Sequence, residues 1–375
     1  MSNSNMEFQQ IGEIKNRLRC LGARPAHEQR ILRLWSQAKP QNSGSRSLES
    51  FMPLALRQAL PQLSETLSNL LHLQSTHSAE DGSVRWLLSL QDGQTVETVG
   101  LPRDGVCVSS QVGCAVGCVF CMTGKEGLIR QVGSAEIVAQ VAFARLHRAV
   151  KKVVFMGMGE PAHNLDNVLE AIEVLGTVGN IGHKSLVFST VGDSRVFERL
   201  PLGLVKPALA LSLHSTRADL RAELLPRAPK MTPEELVEAA EIYAQQTGYP
   251  IQYQWTLLEG VNDTKEEIEG IVRLLKGKYA LMNMIPYNSV DGLPFRRPSW
   301  ERAAEIARTL HRQGILTKLR NSAGQDVEGG CGQLRARHLQ AESSSNQLNL
   351  SKPPRTLQAL EAPLHFVKAK PATFL

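Results

Sequence analysis

Apolar residues in the first part of the chain, residues 8–75, recur at helical spacing. Ile11 and Ile14 are three residues apart, which places them on one face of a helix, and a second run of this kind follows at 31–35. The pattern predicts a small helical N-terminal domain, which we bound at residues 1–80.

Two β-type runs follow the helical domain. WLLSL at 86–90 and TVETVGL at 95–101 flank the dipeptide Asp92-Gly93. This dipeptide readily adopts the positive φ angles of a tight hairpin turn. The pattern therefore predicts a β-hairpin extension, with Glu97 on its second strand.

Strand-like and helix-like segments alternate between about residue 104 and residue 321. The strand-like runs are VCVSS (106–110), VVFMGM (153–158), LVFST (186–190), LALSL (209–213), IQYQWTLL (251–258), LMNMIP (281–286) and LTKL (316–319). Alternation of this kind requires parallel strands joined by helical crossovers, and about six units favour a partial or complete barrel. An open doubly wound sheet is the alternative. We predict an α/β catalytic domain over residues 81–334.

The chain becomes polar and proline-rich after Leu334. The segment ESSSNQ at 342–347 is followed by prolines at 353, 354, 363 and 371. Such a composition buries too little apolar surface to fold by itself. It predicts a flexible or loosely docked tail over residues 335–375.

The composition is that of an enzyme-sized globular protein. The chain has 375 residues, 42% of them hydrophobic and 21% charged. No run approaches the roughly 18 apolar residues of a membrane span, and the first residues lack a signal-peptide pattern. We therefore expect a cytoplasmic protein without a membrane partner. Because cytoplasmic thiols stay reduced, clustered cysteines there indicate metal binding or catalysis.

A formal net charge of +6 and a pI near 9.0 favour a polyanionic partner, with nucleic acid as the leading candidate. The basic residues that we consider for RNA contact form two groups. They are Arg103, Lys125, Arg130, Lys151 and Lys152, and Lys206, Arg217, Arg221, Arg227 and Lys230.

Three cysteines lie within eight positions in GCAVGCVFCMTG at 113–124, namely Cys114, Cys118 and Cys121. An iron–sulfur cubane normally takes four thiolates, one for each iron. With three thiolates, one iron keeps a coordination position for a ligand other than protein. A closed zinc site is the competing interpretation, but the chain lacks a second Cys/His pair at zinc-finger spacing.

The spacing CxxxCxxC, with Phe120 before the last cysteine, resembles the hallmark of the radical S-adenosylmethionine (SAM) superfamily. The resemblance implies a partial (βα)6 barrel of radical SAM type. It also implies a 4Fe-4S cluster on Cys114, Cys118 and Cys121, whose fourth iron is chelated by the amino and carboxylate groups of SAM. Reductive cleavage of SAM would then give a 5′-deoxyadenosyl radical.

Further motifs resemble the RlmN/Cfr group of radical SAM RNA adenine methyltransferases over most of residues 84–334. The matching stretches are VETV (96–99), CVSSQVGC (107–114), GMGEP (157–161), ST (189–190), SLH (212–214), IPYN (285–288) and CGQL (331–334). By this resemblance, seven residues at or just after predicted strands bind SAM, with Glu160 as a partner of its amino group. They are Gly159, Glu160, Ser189, Ser212, Leu213, His214 and Asn288.

The resemblance also assigns chemistry to three residues outside the cysteine motif. Cys331 would take a methyl group from one SAM molecule, and the radical from a second SAM would activate that methyl group for addition to adenine. Glu97 would remove the ring proton, and Cys107 would resolve the adduct by forming a disulfide with Cys331. Considered singly, each cysteine could equally be a buried core residue, and Glu97 a solvated side chain on an exposed hairpin face.

The implied function is methylation of a ring carbon of adenosine, with carbon 2 in 23S rRNA favoured and tRNA as a second target. The implied electron donor is a reductase such as flavodoxin, and we expect a monomer. Two alternatives stay open at this point. One is a radical SAM enzyme that acts on another macromolecule, and the other is an RNA-binding protein with a structural iron–sulfur cluster.

Overall fold

The structure is a computed structural model of the chain. It describes residues 8–44, 47–289, 292–320 and 332–339. The described residues as far as Ala336 form one compact unit, and residues 337–339 belong to a second unit. Cys331 and most of the predicted tail at 335–375 lie outside the described residues.

Four helices precede the sheet. They are α1 (Ile11–Cys20), α2 (Pro25–Ser36), α3 (Leu48–Phe51) and α4 (Leu54–Ser68). Their apolar residues, among them Ile11 and Ile31, belong to the same continuous core as the residues beneath the central sheet. The side chain of Arg145 donates a 2.6 Å hydrogen bond to the carbonyl oxygen of Ser36, which further fastens α2 to the sheet domain. The helical prediction for this region is confirmed over these four segments.

The helical prediction is wrong at the end of the range 8–75, because Leu71–Ser78 form an extended strand. This strand pairs antiparallel with residues 84–90, with a bulge between Leu73 and Ser75. Backbone pairing at the edge of a sheet overrides the local pattern here, as tertiary context commonly does for strands.

Ten strands of the described residues form one sheet, and two short strands form another. The large sheet has the order β1 (Leu71–Ser78), β2 (Val84–Leu90), β3 (Thr95–Leu101), β4 (Gly105–Cys107), β7 (Lys152–Phe155), β8 (Leu186–Thr190), β9 (Ala208–Ser212), β10 (Ile251–Leu257), β11 (Ala280–Pro286) and β12 (Thr317–Leu319), and the small sheet pairs β5 (Gln111–Gly113) with β6 (Leu128–Gln131). The predicted hairpin around Asp92-Gly93 is confirmed as β2 and β3.

The strands from β4 to β12 in the large sheet are parallel and follow one another in chain order. The crossovers contain α5 (Ser134–His147), α6 (Leu165–Thr177), α7 (Ser194–Arg199), α8 (Ala218–Leu224), α9 (Pro233–Thr247), α10 (Lys265–Leu275) and α11 (Trp300–Arg312). A doubly wound sheet would reverse its strand order at a switch point. The unreversed order over six crossovers confirms the prediction of an α/β partial barrel.

The two faces of the parallel strands have different environments. Val153 and Phe155 of β7 pack in the main core, on the side of the helices. The residue between them, Val154, belongs to a separate apolar cluster with Val187 and Ala210. Because side chains alternate along a strand, this second cluster marks the inner face of the barrel. None of the helices in the described part of the chain is long and apolar enough to cross a membrane.

Candidate active site

The cysteine motif occupies the loop between β5 and β6. The backbone N–H of Cys114 donates a 2.8 Å hydrogen bond to the carbonyl oxygen of Gly127, which closes the base of the loop. Gly113 has a φ of +77°, and a Cβ atom there would lie 2.0 Å from the same oxygen. The tight start of the loop therefore requires glycine.

The three thiols of the loop lie close enough for their charges to interact. Burial, together with the charges of Glu160 and Cys121, raises the pKa of Cys114 to about 11. Burial and the charges of Cys121 and Cys114 raise the pKa of Cys118 in the same way, and burial also raises that of Cys121. A cationic cluster would offset this penalty, because metal binding requires and stabilises thiolates.

No three His, Cys, Asp or Glu side chains of the described residues converge tightly enough to bind a single metal ion. A 4Fe-4S cluster makes a different demand, because each cysteine binds a different iron. Cys114 also belongs to an apolar cluster with Val191, Leu224 and Leu258, which shields one side of the loop. Closely grouped thiols on an apolar wall fit a cluster ligated by three cysteines.

A close packing contact fixes the middle of the loop. Gly117 has a φ of +66°, and a Cβ atom there would lie 2.3 Å from a guanidinium nitrogen of Arg227. The backbone N–H of Arg227 donates to the carbonyl oxygen of Val116, and that of Val119 donates to Leu224. The segment after α8 therefore supports the loop from outside.

Glu160 is a buried carboxylate at the end of the GMGEP turn. It accepts hydrogen bonds from the backbone N–H groups of Ala162 at 3.0 Å and Val191 at 2.9 Å. Burial raises its pKa to about 7, although these N–H groups and the Thr190 hydroxyl favour the charged form. Because its charge also affects the pKa of Cys114, the carboxylate lies beside the cysteine loop.

Gly159 brings this turn against the end of β5. Its φ is +100°, and a Cβ atom would lie 2.5 Å from the Cβ atom of Gln111. The side chain of Gln111 accepts a 2.8 Å hydrogen bond from the backbone N–H of Glu160. The CVSSQVGC and GMGEP motifs are thus two halves of one structural feature that orients Glu160.

The other predicted SAM residues lie at or near the C-terminal ends of neighbouring strands. Ser189 is buried in β8, Ser212 is half-buried at the last position of β9, and Asn288 is half-buried just beyond β11. The side chain of Leu213 packs in the main core instead. Its backbone N–H donates to the carbonyl oxygen of Gln254 and its carbonyl oxygen accepts from Arg221, so both backbone groups of Leu213 already have partners.

His214 adopts a left-handed conformation, with a φ of +59°. Its Nδ1 atom accepts a 3.0 Å hydrogen bond from the backbone N–H of Thr256, and its carbonyl oxygen accepts from Asn262. Burial and the charge of Arg221 lower the pKa of His214 to about 3. The imidazole is therefore neutral, with its edge against the ring of Phe120 in the cysteine loop.

Glu97 is buried, with 2% of its surface exposed, which corrects the alternative of a solvated hairpin residue. One carboxylate oxygen accepts a 3.2 Å hydrogen bond from Arg85, and the other accepts a 3.0 Å hydrogen bond from the backbone N–H of Arg335. Burial raises the pKa of Glu97 despite these partners. The charge of Glu97 also raises the pKa of Cys121, which places Glu97 near the cysteine loop.

Cys107 lies buried in β4, directly across from Val99 of β3. Burial raises the pKa of its thiol to about 11, against the opposing influence of Arg85. The charge of Glu97 also acts on this thiol. Glu97 is therefore the carboxylate shared by Cys107 and the cysteine loop.

The residues after Cys331 pack against this group. Gly332 has a φ of +85° and approaches Thr123 so closely that a Cβ atom would lie 2.6 Å from its hydroxyl oxygen. The guanidinium of the buried Arg335 donates to the carbonyl oxygen of Thr95 at 3.1 Å and to Glu126 at 2.6 Å. Arg335 thus links the segment after Cys331 both to the hairpin and to the cysteine loop.

Sequence reasoning missed Arg335, Arg85 and Gln140, because nothing in their local pattern distinguishes them. Gln140, on α5, accepts hydrogen bonds from the Thr98 hydroxyl and from the backbone N–H of Ser109. These contacts hold β3 and the end of β4 in place. Arginine and glutamine are rarely buried without partners, so these residues stand out only once the fold shows that they are buried.

Two of the arginines considered for RNA contact form contacts within the protein. Arg130 forms ion pairs with Asp92 at 2.6 Å and with Glu136 at 2.9 Å. Arg221 is buried and donates to the carbonyl oxygen of Val191 at the end of the barrel. The sequence prediction is wrong for Arg221, whose guanidinium is buried on carbonyl oxygens inside the protein, whereas Arg130 is partly exposed and its contact with RNA stays a prediction.

The chain is similar to proteins of known family over most of its length. The family model of the Radical SAM superfamily matches residues 108–275. A probable RNA methyltransferase of Leptothrix cholodnii is 72% identical over 88% of this chain and 95% of its own length. A probable RNA methyltransferase of Pseudomonas aeruginosa is 65% identical over the same shares of the two chains.

A solved structure supports the same relationship. The crystal structure of a radical SAM methyltransferase from Sphaerobacter thermophilus is 32% identical, covers 89% of this chain and 98% of its own, and superposes with a TM-score of 0.75. The cofactors of this family are a 4Fe-4S cluster and SAM. The chain therefore belongs to the radical SAM RNA methyltransferases, in agreement with its resemblance to the RlmN/Cfr group.

Proposed function

We propose that this enzyme methylates a ring carbon of adenosine, carbon 2 in 23S rRNA and also in tRNA, through an S-methylated Cys331. One observation carries the proposal. Glu97 is a buried carboxylate whose charge reaches both Cys107 and Cys121, and it accepts the backbone N–H of Arg335, four residues after Cys331. This arrangement supports a shared reaction centre for a base, a resolving thiol and the segment that carries the methyl group.

The cofactors have matching residues in this chain. Cys114, Cys118 and Cys121 would hold the cluster, and Glu160 would accept a hydrogen bond from the amino group of SAM. When bound, the cluster and two SAM molecules per turnover supply one methyl group and the radical that activates it. Ser189, Ser212, His214, Asn288, Gly159 and the backbone of Leu213 would line the SAM pocket.

The remaining chemistry belongs to residues of the chain. Cys331, as a thiolate, attacks the methyl carbon of one SAM molecule to form a thioether, and S-adenosylhomocysteine is the leaving group. The methyl carbon, after losing one hydrogen atom to the radical, bonds to adenine. The adduct then gives up its unpaired electron, which the cluster would take back, and Glu97 accepts the proton from the substituted ring carbon. The thiol of Cys107 then loses its proton and attacks the sulfur of Cys331, which breaks the bond between sulfur and the methyl carbon. The released carbon takes up a proton, and the Cys107–Cys331 disulfide is reduced before the next cycle.

A reductase such as flavodoxin supplies electrons in this proposal, and the enzyme acts as a cytoplasmic monomer. The direct test uses reconstituted enzyme, reduced flavodoxin, methyl-labelled SAM and rRNA or tRNA transcripts. Nuclease digestion and mass spectrometry should then find labelled 2-methyladenosine. Label at carbon 8 would revise the acceptor, and label outside adenosine would overturn the proposal.

The runner-up, a radical SAM enzyme acting on a different macromolecule, leaves Glu97 and Cys107 without a role. An RNA-binding protein with a structural cluster would consume no SAM. The same assay separates both from the proposed function, because each predicts transcripts without labelled methyladenosine.

A further inference from the structure

The inner surface of the barrel has an apolar wall and a polar wall. Strands β7 to β9 contribute Val154 and Ala210 to the apolar wall. The polar wall lies on β10 to β12. Gln254 of β10 pairs in register with Asn283 of β11, and Asn283 pairs in turn with Lys318 of β12. Residues paired in register on parallel strands project from the same face, so these three side chains form one row.

The row faces the inside of the barrel. Met282 and Met284 flank Asn283 along β11, and both pack in the main core on the helix side of the sheet. Asn283 must therefore point the other way. The same alternation applies to β12, where Leu319 packs against the main core, so Lys318 and Arg320 project from the opposite face. Both side chains are exposed, because β12 is an edge strand of the sheet.

Asn283 is a buried amide without a hydrogen-bond partner. Only 1% of its surface is exposed, and neither its side-chain oxygen nor its side-chain nitrogen has a partner among the described residues. Leaving buried polar atoms unpaired costs about 1–3 kcal/mol for each group, and an amide offers two. An amide left unpaired in the protein interior therefore has hydrogen-bonding capacity for an ordered water or a polar ligand.

Lys318, the register partner of Asn283, lies within a group of neighbouring positive charges. Lys152, the first residue of β7, has a pKa lowered by burial and by the charges of Arg320 and Lys318. Arg320 has a pKa lowered by burial and by the charge of Arg103. The ion pairs among the described residues involve other side chains, such as Arg85 with Glu97 and Lys151 with Asp104. They include none of the four basic residues Lys152, Lys318, Arg320 and Arg103. Like charges held together in this way favour a bound anion.

We propose that Asn283, Lys318, Lys152 and Arg320 form a phosphate-binding site at the β12 edge of the barrel. The lysines and the arginine neutralise the charge of the phosphate, and the amide nitrogen of Asn283 donates a hydrogen bond to one of its oxygens. A phosphate group suits the site better than a carboxylate, because its larger negative charge and additional oxygens match three cationic groups and one amide. None of the four residues belongs to the cluster loop or to the proposed SAM pocket.

The position of the site suggests the source of the phosphate. Ser212, a proposed SAM residue, pairs in register with Gln254 and so continues the polar row. Lys318 is three strand spacings from Ser212, about 14 Å across the sheet. A phosphate of the RNA substrate bound here would hold the RNA beside the reaction centre, and this assignment rests on the proposed function. Free phosphate is the other source of the same ligand chemistry.

The first arm of the test titrates inorganic phosphate into the reconstituted enzyme by calorimetry, at constant ionic strength and without RNA. Lys318→Gln should weaken phosphate binding about tenfold, because it removes one charged hydrogen bond. Asn283→Leu, which keeps the branched outline of the side chain but has no polar atoms, should weaken it several-fold, by about the value of one hydrogen bond. The control Lys278→Gln removes the same charge from an exposed loop and should leave binding unchanged.

The second arm measures binding of an RNA transcript as a function of salt concentration. If RNA provides the phosphate, Lys318→Gln should lower the slope of log affinity against log salt by roughly one, and free phosphate should compete with the RNA. If variants lose phosphate binding while RNA binding is unchanged, the site exists and takes free phosphate. Unchanged phosphate binding in both variants would overturn the site. Unchanged phosphate binding would leave the proposed methyl transfer untouched, because the formation of labelled methyladenosine is a separate measurement.

Discussion

The backbone N–H of Arg335 donates a 3.0 Å hydrogen bond to the carboxylate of Glu97, although the two residues are 238 positions apart in the chain. Through this bond, the residues that follow Cys331 are fastened to the second strand of the hairpin. The same carboxylate accepts from Arg85 and lies within charge interaction of Cys107. Glu97 therefore has an anchoring role that is visible in the structure, in addition to the proposed role as a base.

Glu97→Gln separates these two roles. The glutamine oxygen can still accept from Arg335, so the segment should stay docked, whereas the amide cannot accept a proton. We expect methyl transfer to RNA to fall about 10²- to 10⁴-fold, the usual loss when a general base is removed. The assay counts labelled methyladenosine per enzyme. Activity within a factor of about two of the wild type would rule out Glu97 as the base, since general bases contribute far more.

Arg335→Ala should release the segment that carries Cys331. The substitution removes the bonds to Thr95 and Glu126. Because 46% of the Glu126 side chain is exposed, water solvates its carboxylate once the ion pair is lost, and the main cost is local undocking of residues 332–335. Hydrogen exchange at residues 332–335 should become faster and RNA methylation slower. Arg312→Ala, on the exposed end of α11, is the control, and equal protection of residues 332–335 in both variants would contradict the anchoring role.

The fold could be predicted from the sequence wherever a pattern repeated. The alternation of strand-like and helix-like runs from residue 104 onward reflects local burial, and it gave the parallel barrel correctly. Leu71–Ser78 could not be predicted, because that strand exists only through its pairing with Val84–Leu90. Most side chains of Leu71–Ser78 are at least partly exposed, so this strand lacks the apolar pattern that identified its buried partner.

The candidate site likewise has residues that the sequence identifies and residues that only the fold brings together. Cys114, Cys118 and Cys121 are recognisable because one short loop supplies all three thiols. Glu97 and Arg335 meet only in the folded chain, so spacing in the sequence carries no sign of their contact. Asn283 looked like an ordinary strand residue in the sequence. The folded chain shows that its amide is buried without a hydrogen-bond partner among the described residues, and that it lies in register with Lys318.

Gly113→Ala should disrupt the cluster loop. The new Cβ atom would lie 2.0 Å from the backbone carbonyl oxygen of Gly127, in addition to the strain of a positive φ. Gly127→Ala is a matched control in the same loop, because it has a φ of +74° and open space around its Cβ position. Both variants carry about 1–2 kcal/mol of backbone strain. Iron and sulfide content after reconstitution should fall clearly further in Gly113→Ala, and equal loss in the two variants would exclude the steric cause.

The neutral His214 predicts a loss of stability in acid. Its pKa is about 3 in the folded state and 6.5 without the fold, so the unfolded chain binds one more proton between these values. The contribution of His214 to stability is therefore complete above pH 6.5 and is lost as the pH falls towards 3. At pH 5 the free energy of unfolding should have fallen by about 2 kcal/mol, because pH 5 lies 1.5 units below 6.5 and each unit is worth about 1.4 kcal/mol.

His214→Asn tests this linkage, because asparagine tolerates a positive φ and can still accept a hydrogen bond from Thr256. Urea unfolding at pH 7.5 and pH 5 should show a smaller loss of stability for His214→Asn than for the wild type. Equal losses in the two proteins would mean that His214 does not titrate on unfolding in this range.

The proposed role of Cys107 predicts a trapped complex. In Cys107→Ala, no thiol can attack the sulfur of Cys331, so the bond between the methyl carbon and that sulfur should persist. We expect a covalent protein–RNA complex that survives denaturing electrophoresis and disappears on nuclease treatment. The control Cys20→Ala alters an exposed cysteine and should give free methylated RNA. Free methylated RNA from Cys107→Ala would show that another group resolves the adduct.

The most direct test of the central claim is peptide mass spectrometry of anaerobically purified enzyme supplied with SAM. The proposed route predicts an added methyl group, about 14 Da, on the peptide that contains Cys331, as expected for a covalent nucleophile. The added mass should be absent in Cys331→Ala. An unmodified Cys331 in enzyme with a full cluster and bound SAM would contradict methyl transfer through this residue.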